Sequence, residues 1–267
     1  MSRQTKRSLT QRERSIVDTI AGFRMMNGGQ IQRVYFPDGT TIGARRRTQA
    51  TLKRLVDDNY LTRIIRRVGG ERAGSASFSY CLGARGQRLL DPSSRGRRLV
   101  EPGLAFLRHH LAVAEVFVGL TEQERDGALE IIETQTEPGC WRNLAKAFGG
   151  SEWLKPDLFV SLGVGDYEQH WFIEVDLATE SLRRIERTCD RYVAYYRSGA
   201  EQAEHDVFPR VAWLTPSPKR AAAIQSVIAQ RPLEERQLFA VGLLENSNNI
   251  LKGGEHEQAE HEQEQPA

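Results

Sequence analysis

Cysteine is scarce in this 267-residue chain, and its three copies, Cys81, Cys140 and Cys189, stand far apart with no Cys-x-x-Cys pair among them. That pattern excludes a zinc ribbon and a disulfide framework, and it fits free thiols in a reducing cytoplasm. Histidine is sparse too, with neither a His-x-His nor a His-x-x-x-His motif. A relaxase of the tyrosine type needs such a histidine cluster for its metal. Tyr192, Tyr195 and Tyr196 are therefore expected to pack rather than attack phosphodiesters. No apolar run approaches the roughly 20 residues that span a bilayer. The basic start "MSRQTKRSLTQRER" leads into no apolar segment of the signal-peptide kind. The sequence alone thus predicts a cytoplasmic protein with no membrane partner.

Acid is what the first hundred positions lack. They hold 21 Lys and Arg against 7 Asp and Glu, a net of +14, while the other 167 hold 16 against 28, a net of −12. So large an asymmetry assigns the halves different tasks, and a block this basic fits a polyanion such as double-stranded DNA. "LTQRERSIVDTIAGFR" has Thr10 and Glu13 at capping-box spacing, then Ile16, Ile20 and Phe23 at helical spacing. "NGGQIQRVYF" reads as a turn and a second helix, and "GARRRTQATLKRLVDDNYL" as a third. In that third helix Thr48, Leu52, Leu55 and Val56 would face inward, and Arg46, Arg47, Gln49, Ala50 and Lys53 outward. "LTRIIRRV" and "SFSYCL" read as strands joined by the glycine-rich "GGERAGSA". Three helices and a hairpin resemble a winged helix-turn-helix, whose third helix enters the major groove. The resemblance makes Arg45, Arg46, Arg47, Gln49 and Lys53 the DNA-contacting candidates, with Arg66, Arg67 and Arg72 on the hairpin and its wing. Arginine suits both guanine and phosphate, since its fork can grip either.

"DPSSRGRRLVEPG" reads as a linker. Beyond it come an apolar helix ("GLAFLRHHLAVAEVFVGL"), a strand ("ALEIIETQ"), a short helix ("WRNLAKAFGG"), and two strands ("DLFVSLG", "HWFIEVD") joined across "VGDYEQ". A helix from "TESLRRIERTCDRYVAYYRSG", capped by Thr179 or Ser181, a strand ("RVAWLTP"), a helix ("KRAAAIQSVIAQR") and a last strand ("LFAVGLL") follow. This order resembles a PD-(D/E)XK nuclease-like αβββαβ core with a mixed sheet, giving an α+β chain overall. The expected domains are 1–90, a linker 91–102, the second domain 103–245, and an acidic, disordered tail 246–267.

The stretch "KPDLFV…FIEVD" carries the chemistry. Asp157, Glu174 and Asp176 are the candidate catalytic and metal-binding residues, for Mg²⁺ or Mn²⁺, because clustered carboxylates hold hard divalent cations. The lysine expected two residues after Glu174 is replaced by Asp176. Arg187, on the following helix with Arg183 and Arg184, is the first-choice substitute, with Lys155 as another. Glu115 could approach the acids or simply face solvent, and His110 is expected to pack. The combination of "HHLAVAEVFVGL", "KPDLFV" and "FIEVDLATESLRRIERTCDRYVAYY" after a basic winged helix resembles the replication-relaxation family. That resemblance implies a DNA-binding accessory protein of a plasmid or integrative element, acting in replication, relaxation or mobilisation, with other proteins of the element as partners. A metal-dependent endonuclease or nickase, and a transcriptional regulator that dimerises through its second domain, are the alternatives.

Overall fold

The computed structural model describes residues 8–38, 41–64, 78–94, 102–145 and 150–253. The chain divides into two compact units, Met1–Val118 and Gly119–Ala267. The expected wing loop, most of the expected linker and residues 254–267 of the expected tail lie outside the described residues, whereas the start of that tail is not disordered: Ser247–Leu251 form a helix with Ile250 and Leu251 buried.

In the first unit, α1 (Gln11–Phe23) starts where the sequence signals. Glu13 N–H donates to Thr10 Oγ1 at 3.3 Å and Thr10 N–H to Glu13 Oε2 at 2.8 Å, so two orphan amides are satisfied. The short strand β1 (Met26–Asn27) leads into α2 (Gly28–Tyr35), capped in the same reciprocal way by Asn27 and Gln30. Next come α3 (Thr41–Asp57), β2 (Leu61–Ile64), β3 (Ser79–Leu82) and α4 (Ala84–Leu90). The strands form an antiparallel sheet in the order β1-β3-β2. The buried Glu13 pairs with Arg54 of α3, locking the first helix to the third. The long α5 (Leu104–Arg125) contributes Leu107 and Leu111 to a cluster with Met25, Ile64 and Cys81. Buried Gln30 is satisfied by the Leu111 carbonyl at 2.8 Å and Glu115 at 2.9 Å.

Within the second unit, β4 (Glu130–Thr136), β5 (Arg142–Ala145), β6 (Ser151–Leu154), β7 (Leu158–Val164) and β8 (Tyr167–Val175) precede α6 (Leu182–Ser198) and α7 (Ala200–His205). Then follow β9 (Arg210–Thr215), α8 (Pro218–Ala229), α9 (Leu233–Arg236), β10 (Phe239–Leu243) and α10 (Ser247–Leu251). The five-stranded sheet runs β10-β9-β8-β7-β4. Its β4–β7 and β7–β8 ladders are antiparallel, and β8–β9 and β9–β10 are parallel, as strand–helix–strand connections require. One face packs Phe159, Phe172, Val211, Trp213 and Val241 against Ile185, Cys189 and Tyr192 of α6 and Ala221, Ile224 and Ile228 of α8. Burying a side chain of this size contributes about 1.5–3 kcal/mol. The indole of Trp171 donates to the Leu251 carbonyl at 2.9 Å, tying α10 to the sheet.

Several expectations are corrected. "WRNLA" is not helical: it forms β5, paired antiparallel with β6. The extended backbone lets Arg142 reach Glu201 at 2.9 and 3.2 Å and lie over the Phe159 and Phe172 rings, a tertiary demand that overrides weak local propensity. The β7–β8 turn is shorter than expected, because Val164 already pairs with Tyr167. The short segments β1, α4, α7, α9 and α10 carried too little periodicity to read. Nor is an apolar stretch of spanning length missing: α5 reaches a mean hydropathy of 1.3 over its most apolar window. Of that window 39% is buried, including Leu107, Val113, Ala114, Val116 and Val118.

Gly86 marks a close approach of α4 to the turn before β2. A Cβ there would stand 2.2 Å from the Tyr60 carbonyl oxygen. Glycine-to-alanine changes in helices ordinarily stabilise by up to about 1 kcal/mol. Here the clash is with backbone, so Gly86→Ala is expected to destabilise by roughly 1–3 kcal/mol. A urea titration checks this, and an unchanged or raised midpoint contradicts the packing.

Candidate functional site

The outward face of α3 presents Arg45, Arg46, Arg47, Gln49 and Lys53, all exposed, while Ala44, Thr48, Leu52 and Leu55 are buried beneath them. The Thr48 hydroxyl donates to the Ala44 carbonyl at 2.9 Å, so even the polar member of the inner face is satisfied. Arg47 donates to the Asp38 carbonyl, and Lys53 meets Asp57 at 2.5 Å one turn on. Exposed pairs of this kind are worth about 0.3–0.5 kcal/mol, so they exchange readily for another anion. Arg66, Arg67 and Arg72 lie outside the described residues.

At the other candidate site the strands deliver the acids to one end of the sheet, but each meets a different partner. Asp157 precedes β7; its amide donates to the Ile173 carbonyl at 3.0 Å, and its Oδ2 accepts the Val175 N–H at 2.7 Å. Glu174, on β8, accepts the hydroxyl of buried Tyr192 at 2.7 Å. Burial pushes its carboxyl well above the ordinary glutamate range. The Asp157 charge pushes the same way, and the Tyr192 hydrogen bond opposes them. Tyr192 is itself raised, first by burial and then by the Glu174 charge. Asp176 lies just beyond β8, its amide donating to Leu214 at 2.9 Å, and its side chain is only 2% exposed. Arg220 of α8 engages its carboxylate, and the Ala178 N–H donates to Oδ1 at 3.1 Å.

The three carboxylates stand at one end of the sheet and are engaged by different partners. Asp157 and Glu174 feel each other's charge, whereas Asp176 is taken by a guanidinium. Among the described residues no group of three or more His, Cys, Asp or Glu gathers so as to hold a metal ion. Asp157 gives Oδ2 to the Val175 amide and Glu174 gives Oε1 to Tyr192, while both oxygens of Asp176 are engaged. Burial also pushes the neighbouring thiols Cys140 and Cys189 up to about 12.

Arg183, Arg184 and Arg187 are exposed on α6, with Arg184 held to Glu180 at 2.9 Å. Arg191, one turn beyond Arg187, donates to Thr188 at 3.0 Å and meets Glu152 at 3.7 Å. Lys155 sits over the Trp141 ring at 4.2 Å. Glu115 belongs to the first unit, where Arg33 and Gln30 hold it. His110 is buried against Phe106, with ring centroids 4.1 Å apart. Tyr195 donates to Glu201 at 2.6 Å and Tyr192 packs on Phe172, both buried, whereas Tyr196 is 41% exposed with its ring 5.2 Å from that of Phe208. Sequence reasoning missed Arg220. Its only local signal is a basic residue in the first turn after Ser217-Pro218, where acids are the usual choice.

Glu174 gives stability a definite pH dependence. A carboxyl whose folded pKa exceeds its unfolded value holds more protons when folded. Stability is then full below the ordinary glutamate pKa and falls as pH rises through the folded value. Glu174→Gln keeps an acceptor for Tyr192 and is expected to raise stability at neutral pH while flattening this slope. Urea midpoints from mildly acidic to mildly alkaline pH measure it; a variant that tracks the wild-type slope contradicts the assignment.

The replication-relaxation family model matches residues 18–211. No curated protein and no solved structure matches the chain. The match covers most of the sequence, from within the first helix to the start of β9, and includes the strands that carry the acids, and the chain belongs to the replication-relaxation family.

Proposed function

We propose that the chain is a DNA-binding accessory protein of a plasmid or integrative mobile element, acting in its replication, relaxation or mobilisation. In this reading the first unit is a winged helix-turn-helix that grips double-stranded DNA, with α3 in the major groove. The observation that carries it is the face of α3, where Arg45, Arg46, Arg47, Gln49 and Lys53 are all exposed over a buried row of Ala44, Thr48, Leu52 and Leu55. The net charge of +14 over the first hundred residues supports the same reading, since it draws a polyanion from a distance.

The second unit is read as a PD-(D/E)XK nuclease-like domain whose site is degenerate. The order α5-β4-β7-β8-α6-β9 supports that fold, and the engagement of Asp176 by Arg220 supports degeneracy. A metal-dependent endonuclease or nickase using Mg²⁺ or Mn²⁺ is the second reading. The mutual charge of Asp157 and Glu174 favours it, since like charges held together attract a cation. Other replication or mobilisation proteins of the element, and a second copy of the chain, are the protein partners this role would use.

Changing Arg46, Arg47 and Lys53 together to Ala is expected to weaken duplex binding and flatten its salt dependence. Each lost phosphate contact lowers the slope of log K against log salt by about one. Fluorescence anisotropy across a salt series reads both quantities. A slope equal to that of the wild type sinks the assignment of α3.

A further inference from the structure

We propose that the adjoining N-termini of α6 and α8 form a binding site for a phosphate group of the DNA backbone, built on Arg220, Lys219 and the buried hydroxyl of Thr215. The source of the phosphate rests on the DNA-binding reading above, while the chemistry rests on the second unit's own residues. The two helices run 17 and 12 residues and are capped by Ser181 and Ser217. Arg220 Nη2 donates at 2.7 Å to the carbonyl of Glu180, the residue before Ser181, so the two helix ends lie within one arginine's reach. Ahead of the capped amides of Arg184 and Arg220 stand the N–H groups of Leu182 and Arg183 on α6 and that of Lys219 on α8, Pro218 having none, and each end bears the positive pole of a helix dipole.

Neither helix has an acid in its first turn. Cations stand there instead: Arg183 and Arg184 on α6, Lys219 and Arg220 on α8. Each opposes the dipole, and a bound anion reverses that opposition. Thr215 supplies the independent observation. It is fully buried, and its Oγ1 has no hydrogen-bond partner among the described residues. Alternation along β9 sets it on the face of Val211 and Trp213, which packs against α6 and α8, and it lies two residues before the Ser217 cap. A buried hydroxyl left unpaired is costly, and a phosphate oxygen would accept its proton.

The nearby acids do not block such a ligand. Asp176 is neutralised by Arg220, and Glu180 is paired with Arg184. Arg220 uses Nε for Asp176 and Nη2 for Glu180, which leaves further donors of its fork for an incoming oxygen.

Melting of the full chain in sodium phosphate and in sodium chloride at equal ionic strength tests the site. The wild type is expected to melt higher in phosphate, by mass action on the folded state. Thr215→Val removes only the unpaired hydroxyl, so the fold is kept while the apparent Kd for phosphate rises roughly tenfold. Asp176→Asn relieves the competing charge, so phosphate binds more tightly than to wild type. Arg220→Gln abolishes the gain; if that variant fails to fold, the other two decide. Equal melting in the two salts, or a phosphate gain unaltered by Thr215→Val and Asp176→Asn, overturns the site. A short DNA duplex distinguishes the sources of phosphate, since Thr215→Val then weakens duplex binding too. A phosphate effect with no duplex effect overturns the backbone assignment. The α3 salt titration does not touch these residues, so the two readings fail separately.

Discussion

A carboxylate withdrawn from water must be hydrogen-bonded, paired or protonated, and the end of the five-stranded sheet meets that demand in three different ways. Asp157 takes a backbone amide, Glu174 takes the Tyr192 hydroxyl, and Asp176 takes the Arg220 guanidinium. These bonds hold the sheet to its surroundings. Asp157 ties the entry of β7 to β8, Tyr192 ties β8 to α6, and Arg220 ties the segment after β8 to α8. An acid committed in this way is a structural fastener.

The first unit solves a different problem with the same economy. Glu13 closes the capping box of α1 and also receives Arg54 from α3. Inward positions of α3 are filled by Ala44, Thr48, Leu52 and Leu55, which leaves Arg45, Arg46 and Arg47 on solvent. Exposed ion pairs on this face are weak, so ligand exchange costs little.

Local signals were legible in the sequence. Thr10 and Glu13 announced a capping box, Ser181 an N-cap, and the spacing of Thr48, Leu52 and Leu55 the inner face of α3. The apolar runs of β7, β8, β9 and β10 were readable because strands covered on both faces are nearly continuous in hydrophobic residues. Non-local choices were not legible. Arg142 sits in a stretch with helical propensity, yet its bond to Glu201, 59 residues away, fixes a strand. Arg220 meets Asp176 across 44 residues, through a register in which the Asp176 amide bonds to Leu214. Nothing in the spacing of Glu174 and Asp176 reveals that one turns to Tyr192 and the other to Arg220.

The central claim is that these acids are held by the protein rather than presented to a catalytic cation. The most direct measurement is incubation of supercoiled plasmid with the protein and Mg²⁺ or Mn²⁺, beside an Asp157→Ala/Glu174→Ala variant. The account predicts that wild type and variant leave the plasmid equally supercoiled. Rapid nicking by the wild type, abolished in the variant, would contradict it.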